Sequence, residues 1–334
     1  MDRIAEESES RAGSTFSAVR YPPRSPAGTV TSEYAGTTLG EAPGRVETAK
    51  VLFVDDTSAL KGHALPGKPR GLDIAFLLPP GSPKPTLLCY KTEPQDGVVV
   101  KRRAVVLATD VFGLGNKNPR IIADLMSDAL GIVVYVPDLL EGDYLPSEKI
   151  YLVDRPITGE KWFLQAQETA RALFSLAWHV GPAFAFRHNL DTMQVLLQKF
   201  SHKLREDVQL EKLGMIGYGM GGREAVLLAA TALVDSIMVF HPSPLSEAEL
   251  NAVRCPCSFA FAQEDMFFPL RKQDKVRTVL RREGKPPAEF RVWKSVTHGF
   301  GSRPNLALPD VVAAFEGSWE QARQFLQRFV VEDN

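Results

Sequence analysis

The chain has 334 residues, 44% of them apolar, with 39 Lys+Arg against 40 Asp+Glu and a formal net charge of −1. That apolar share can build one sizeable core, and the near-zero charge leaves no electrostatic footprint for nucleic acid or an anionic membrane. No apolar run approaches the roughly 18 residues that span a bilayer, and the acidic start, Met1 to Ser8, lacks the apolar segment of a secretory signal. Three cysteines, Cys89, Cys255 and Cys257, fit a reducing compartment better than a disulfide scaffold. The cytosol is the expected location, with the mitochondrion as the alternative.

Residues 1–45 are rich in Ser, Gly, Pro, Thr and charge, and read as a disordered N-terminal extension. Residues 46–334 are assigned to one domain, with its core over about 70–330. Val51 to Val54 is a short apolar run that could form a strand, and Leu65 to Pro69 is a turn. Strands are then expected at 72–78, 86–91, 104–109, 132–136, 213–217, 236–240, 257–262 and 289–294. Helices are expected near 118–130, 161–178, 189–204, 221–233, 269–283 and 308–329. Several strands are short and wholly apolar, as in a parallel sheet covered on both faces. Alternation of strand and helix predicts a doubly wound α/β sheet of about eight mostly parallel strands, opened by a hairpin where the first two strands have no helix between them. An excursion at 139–188 carries Trp162, Phe163, Trp178, Phe184 and Phe186. It either packs extra helices over the sheet or forms a lid whose aromatics shape an apolar pocket.

Met215 to Arg223, MIGYGMGGR, is an apolar strand end, a glycine-dense turn and a helix start. That is the outline of a nucleophile elbow, G-x-Nu-x-G, in which a strained turn lifts the nucleophile above an α/β-hydrolase sheet. The nucleophile position is 219, and it is glycine. Ligands of open α/β sheets sit beyond the carboxyl ends of the strands. There the sequence places Thr109-Asp110-Val111, the elbow, His241-Pro242-Ser243, Glu264-Asp265-Met266 and Thr297-His298-Gly299. The order elbow, acid, histidine is that of a hydrolase triad. A dinucleotide reading of Gly217-x-Gly219-x-x-Gly222 also satisfies the spacing. It lacks the acid that should end the next strand, which instead runs into His241, and four or five strands precede it. Cys255-Pro256-Cys257 is half a zinc-type pair with no second half, so neither a metal nor a cofactor is expected.

These motifs together resemble the dienelactone hydrolase family, particularly its fungal and other eukaryotic members. The resemblance rests on TDVFGLG at 109–115, YVPDLL at 135–140, GYGMGG at 217–222, HPS at 241–243, FAQEDMFFP at 261–269 and THGFGSRPN at 297–305. It spans roughly residues 70–330. It implies an α/β-hydrolase fold, with Asp265 and His298 as two members of a triad whose third, usually cysteine, would stand at Gly219. It places Asp110 where bacterial relatives carry a glutamate facing the thiol, and makes Arg303 the nearest match to an arginine that binds the substrate carboxylate. The elbow places the Met220 amide in the oxyanion hole, with the Val111 amide, in the loop after the third strand, expected as its second donor.

Glycine accepts the strained elbow conformation without steric cost, so the turn should survive the loss of the nucleophile. Three functions follow: a catalytically silent hydrolase fold that binds a ligand, a hydrolase using water activated by Asp265–His298, or one with a displaced nucleophile such as Ser243. A nucleotide-binding protein is a remote fourth. The expected ligand is a small ester, lactone or carboxylate, with no nucleic acid or membrane partner and any protein partner unidentified.

Overall fold

A computed structural model of the chain describes residues 63–332, apart from 147–149, 151, 156, 158, 188 and 189. The expected extension at 1–45 and the run Val51 to Val54 lie outside the described residues. Strands β1 (Leu72–Leu77) and β2 (Thr86–Thr92) form the expected antiparallel hairpin, with Ala75 opposite Leu88. Beyond them come β3 (Arg103–Ala108), α1 (Asn118–Leu130), β4 (Val133–Pro137), α2 (Trp162–Arg187) and α3 (Leu190–Val208). The second half is β5 (Lys212–Tyr218), α4 (Met220–Leu228), β6 (Ser236–Phe240), α5 (Glu247–Ala252), β7 (Cys257–Glu264), α6 (Leu270–Leu280), β8 (Ala288–Thr297) and α7 (Pro309–Leu326).

The eight strands lie in the order β1-β2-β4-β3-β5-β6-β7-β8. Strand β2 runs antiparallel to β4, and every pair from β4 to β8 is parallel. From β3 the chain first steps to β4 on one side and later returns through β5 on the other. This reversal opens a crevice beyond the carboxyl ends of β3 and β5, the place where such sheets bind ligands.

Alternation along β3 shows why both faces are closed. Val106 and Ala108 pack with Leu197 and Phe200 of α3 and Val226 of α4, whereas Val105 and Leu107 pack with Ile122 and Met126 of α1 and Phe325 of α7. All six β3 residues are buried, and after Arg103 the strand reads as a continuous apolar run rather than an alternating one.

Three elements differ most from the sequence expectation. Helix α4 stops at Leu228 rather than 233, and the Thr231 hydroxyl donates to the Leu228 carbonyl at 2.6 Å just beyond it. Helix α5 was not anticipated, although Ser246 and Glu249 spell a capping box: Ser246 Oγ accepts from the Glu249 amide at 3.2 Å and Glu249 Oε2 from the Ser246 amide at 2.6 Å. Helix α2 runs past 178, through Gly181 and Pro182, to Arg187. No helix among the described residues is long and apolar enough to cross a membrane.

Candidate active site

The site begins where β5 runs into α4. Gly219 has φ 53° and ψ −110°, a combination that strains any residue with a Cβ. Its two neighbouring glycines are required by close approach. A Cβ on Gly217 would fall 2.3 Å from the Gly221 carbonyl oxygen, and one on Gly221 would fall 2.3 Å from that of Ala108. The turn is pinned to the adjacent strand ends: the Gly219 amide donates to Phe240 at 3.2 Å, the Gly221 amide to Thr109 at 3.1 Å, and the Ser243 amide to the Gly219 carbonyl at 2.8 Å.

Over this turn stands His298, at the end of β8. A Cβ built on Gly219 would lie 3.7 Å from His298 Nε2 and 3.3 Å from Asp110 Cβ. The opposite ring nitrogen, Nδ1, is 3.0 and 2.9 Å from the two carboxylate oxygens of Asp265. Asp265 is buried beyond β7 and also accepts from the Phe267 and Phe268 amides, each at 2.9 Å. Burial pushes its carboxyl up, but the His298 ring, the nearby His241 and the Phe268 amide outweigh that, and the net displacement is downward. Asp265 is therefore held ionised behind the imidazole.

Aromatic edges fix the ring of His298. Phe267 and His241 contact it at centroid distances of 4.8 and 4.9 Å, both edge-on. His241 is buried with φ 32°, and neither ring nitrogen has a hydrogen-bond partner among the described residues. Burial, joined by the charge of His298, drives its pKa well below the ordinary imidazole value and keeps the ring neutral.

Asp110 follows β3. Its Oδ1 accepts from the Phe112 amide at 3.0 Å and its Oδ2 from the Ser302 hydroxyl at 2.8 Å. Ser302 was not singled out from the sequence. It sits in the GFGSRPN segment, four residues after His298, where spacing gives no hint of a bond to the other side of the crevice. Arg303 is half-buried: its guanidinium lies 3.9 Å over the Phe112 ring, and its buried Nε has no partner among the described residues. The amides of Val111 and Met220 donate to no group among the described residues. Ser243 is half-buried at the turn, and no hydrogen bond links its hydroxyl to His298 among the described residues.

A cavity of about 490 Å³ opens beside the Asp265–His298 pair. Leu152, Val153 and Ile157 line it from the excursion, and Met266, Phe267 and Leu270 from the opposite wall. The excursion is fastened there: Thr297 Oγ1 donates to the Val153 carbonyl at 2.7 Å, and the Ile157 amide to Glu264 Oε2 at 2.7 Å. Of the two readings of the excursion, a lid of pocket-shaping aromatics is not what these rings form. Trp162, Phe163 and Trp178 point to solvent, and Phe184 is buried in the core. Phe186 lies outside the described side chains. Gln165 and Thr169 are what α2 turns toward the cavity.

Other sequence candidates resolve simply. Cys89, Cys255 and Cys257 are free and buried. No cluster of three or more metal-ligating side chains occurs among the described residues. At the end of β6, where a dinucleotide site needs a carboxylate, the chain places Phe240 and the neutral His241.

Comparison with known proteins agrees with this architecture. The chain is 28% identical over 258 residues to the hydrolase tropI of Talaromyces stipitatus, covering 75% of this chain and 93% of that one. It is 22% identical over 203 residues to the human carboxymethylenebutenolidase homolog, covering 60% and 71% respectively. Among solved structures, the fold matches a putative dienelactone hydrolase from Klebsiella pneumoniae with a TM-score of 0.55 at 13% identity, over 77% of this chain and all of that one. It also matches the dienelactone hydrolase of Anabaena variabilis with a TM-score of 0.53 at 15% identity, over 79% of this chain and all of that one. The family model for dienelactone hydrolases matches residues 88–330, a span that starts in β2 and takes in the elbow, Asp265 and His298. From the second strand of its sheet to the end of its last helix, the chain belongs to the dienelactone hydrolase family.

Proposed function

We propose that this protein retains the dienelactone hydrolase site as a pocket for a small carbonyl- or carboxylate-bearing molecule, while covalent catalysis is lost at Gly219. One observation carries the reading. His298 Nε2 stands 3.7 Å from where a Cβ at 219 would be, oriented by an ionised Asp265, and residue 219 offers no atom to attack with. What remains favours an anionic or polarised oxygen: two amides without a partner among the described residues, the N-terminal end of α4, and the half-buried Arg303. Asp110 and Arg303 line the binding side, and the cavity beside His298 supplies apolar walls.

A second reading is favoured by the open side of His298. Among the described residues nothing bonds to its Nε2, so a water in the space above Gly219 would have a base. In that reaction the water oxygen bonds to the carbonyl carbon while its proton passes to Nε2. The carbonyl oxygen becomes an oxyanion at the Val111 and Met220 amides. Collapse of the tetrahedral species then breaks the carbon–oxygen ester bond, and the proton returns to the leaving alkoxide. General base catalysis of this kind contributes about 10²–10⁴-fold, without the gain of a covalent intermediate. A displaced Ser243 nucleophile has no such support, because its hydroxyl does not reach His298 through a hydrogen bond. The cytosol remains the proposed compartment.

The discriminating experiment is turnover of p-nitrophenyl acetate by the unmodified chain and by Gly219→Cys, each with and without His298→Ala. The binding reading expects no His298-dependent turnover in the unmodified chain and its appearance in Gly219→Cys, where a thiol would stand beside an imidazole and a helix N-terminus. His298-dependent turnover in the unmodified chain would transfer the assignment to the water route.

A further inference from the structure

Helix α2 is built inside-out. At 100° per residue, its inward side carries Gln165, Glu168, Thr169, Ala172, Ser175 and His179, five of them polar, and all are buried or half-buried. Its outward arc carries Trp162, Phe163, Leu173, Phe174 and Trp178, all exposed, interspersed with exposed Ala166, Ala170 and Ala177 and a single polar residue, Gln167. A surface helix ordinarily shows the reverse pattern.

The exposed area is large. Trp162 is 80% exposed, Trp178 76%, Phe174 70% and Phe163 47%. At about 150–250 Å² per aromatic side chain, these four alone present roughly 600 Å². With Leu173 and the alanines the arc approaches the ~800 Å² that each partner contributes to a stable protein–protein interface, and it exceeds the largest apolar patch of most monomers, ~300–600 Å².

We infer that this arc is the interface for a second copy of the same chain, joined through an antiparallel pair of α2 helices related by a two-fold axis at Ala170. The sequence is self-complementary about that point. Ala170 is eight residues from Trp162 and eight from Trp178, and it lies at the middle of the arc in angle as well as in length. Two-fold symmetry sets a residue n positions before Ala170 against the residue n positions after it in the partner. Trp162 then meets the partner's Trp178. Phe174 fits over the partner's Ala166, and Phe163 over the partner's Ala177. Each ring thus finds a ring or an alanine, and Leu173 meets the aliphatic stem of the partner's Gln167. Arg171 falls opposite the partner's Thr169 and Glu168 opposite the partner's Ala172, so no like charges meet. Because Gln165 and Thr169 of α2 line the cavity, the pairing also braces one cavity wall.

The test is the mass of the full chain by light scattering during size exclusion at about 10 μM. The expected result is a dimer, twice the 36.8 kDa of one chain. Phe174→Glu combined with Trp178→Glu should raise the dimer dissociation constant at least 100-fold, leaving a folded monomer by circular dichroism. Ala170→Cys should cross-link to itself under mild oxidation, because the axis brings the two Cβ atoms within the roughly 3.5–4.5 Å a disulfide needs; Asp274→Cys, exposed on α6, should not. The cross-link keeps the test decisive if the double variant does not fold. A monomer at 100 μM overturns the inference. So does a dimer that fails to cross-link through position 170, and so does a monomer that binds phosphatidylcholine vesicles in a Trp178-dependent way.

Discussion

Glu224 offers a sharp test of how this fold tolerates charge beneath its elbow helix. Its side chain is fully buried, and neither carboxyl oxygen has a hydrogen-bond partner among the described residues. The nearest cation, Arg223, is 4.0 Å away and is engaged with Glu249. Burial pushes the Glu224 carboxyl up to about 7; Arg223 opposes this, while Glu249 and Asp191 add to it. The sign follows from linkage. Between the ordinary value of 4.5 and about 7, the folded state holds a proton that the unfolded state has released. Stability therefore falls as pH rises through that window, by about 3 kcal/mol in full, and about 2.5 kcal/mol of this is lost between pH 5 and pH 8. Glu224→Gln cannot ionise. Urea unfolding of the two proteins at pH 5, 6, 7 and 8 should show the glutamine variant gaining on the parent by that amount, or roughly 5–10 °C in thermal midpoint for a domain of this size. Parallel pH profiles would refute the reasoning. They would mean that ionised Glu224 acquires a partner, most directly by a swing of Arg223 away from Glu249.

Glycine replacements should rank by what a Cβ would strike. Gly217→Ala and Gly221→Ala drive a methyl into backbone oxygens at 2.3 Å and should cost about 3 kcal/mol or more, whereas Gly219→Ala meets only strain and a 3.3 Å contact and should cost about 1–3 kcal/mol. Chemical denaturation of the three variants checks the order. The cysteines should be inert in the native protein. Burial pushes the Cys255 thiol up to about 12 and those of Cys89 and Cys257 further still, so iodoacetamide labelling at pH 8 should appear only on unfolding. Rapid native labelling of any of the three would contradict the packing around it.

Most of the sheet was readable because its strands are short, apolar and fully buried. Ser236–Phe240 was placed to the residue, and Arg103–Ala108 within one. The rim was readable for a related reason: topology sends each strand's carboxyl end to one edge, so Gly219, Asp265 and His298 could be grouped before any distance was known. The spatial order was less accessible. Nothing in the pattern of β4 says that it inserts between β2 and β3. Helix α5 hid in six residues despite its capping box, too short for a periodic signal. The excursion misled because apolar residues were read as inward-facing. Trp162, Phe174 and Trp178 reverse that rule, and periodicity gives the width of an apolar arc without saying which way it points. Ser302 and its bond to Asp110 span 192 residues of sequence, beyond any local cue.

The two ends of the acid–histidine–elbow array are anchored in the fold to very different degrees, and this bears on how such a site decays. Asp265 satisfies two backbone amides and an imidazole at once. Deleting it would orphan buried donors at about 1–3 kcal/mol for each group left unpaired, and would loosen the turn from β7 into α6. A side chain at position 219 carries no such duty. It satisfies nothing in the fold, and the φ of 53° makes its absence a relief rather than a loss. Selection for folding alone would thus act on the acid and be indifferent to a side chain at position 219. An intact carboxylate–imidazole pair is therefore poor testimony that a protein of this architecture turns over substrate. The identity of the residue at the elbow is the better witness.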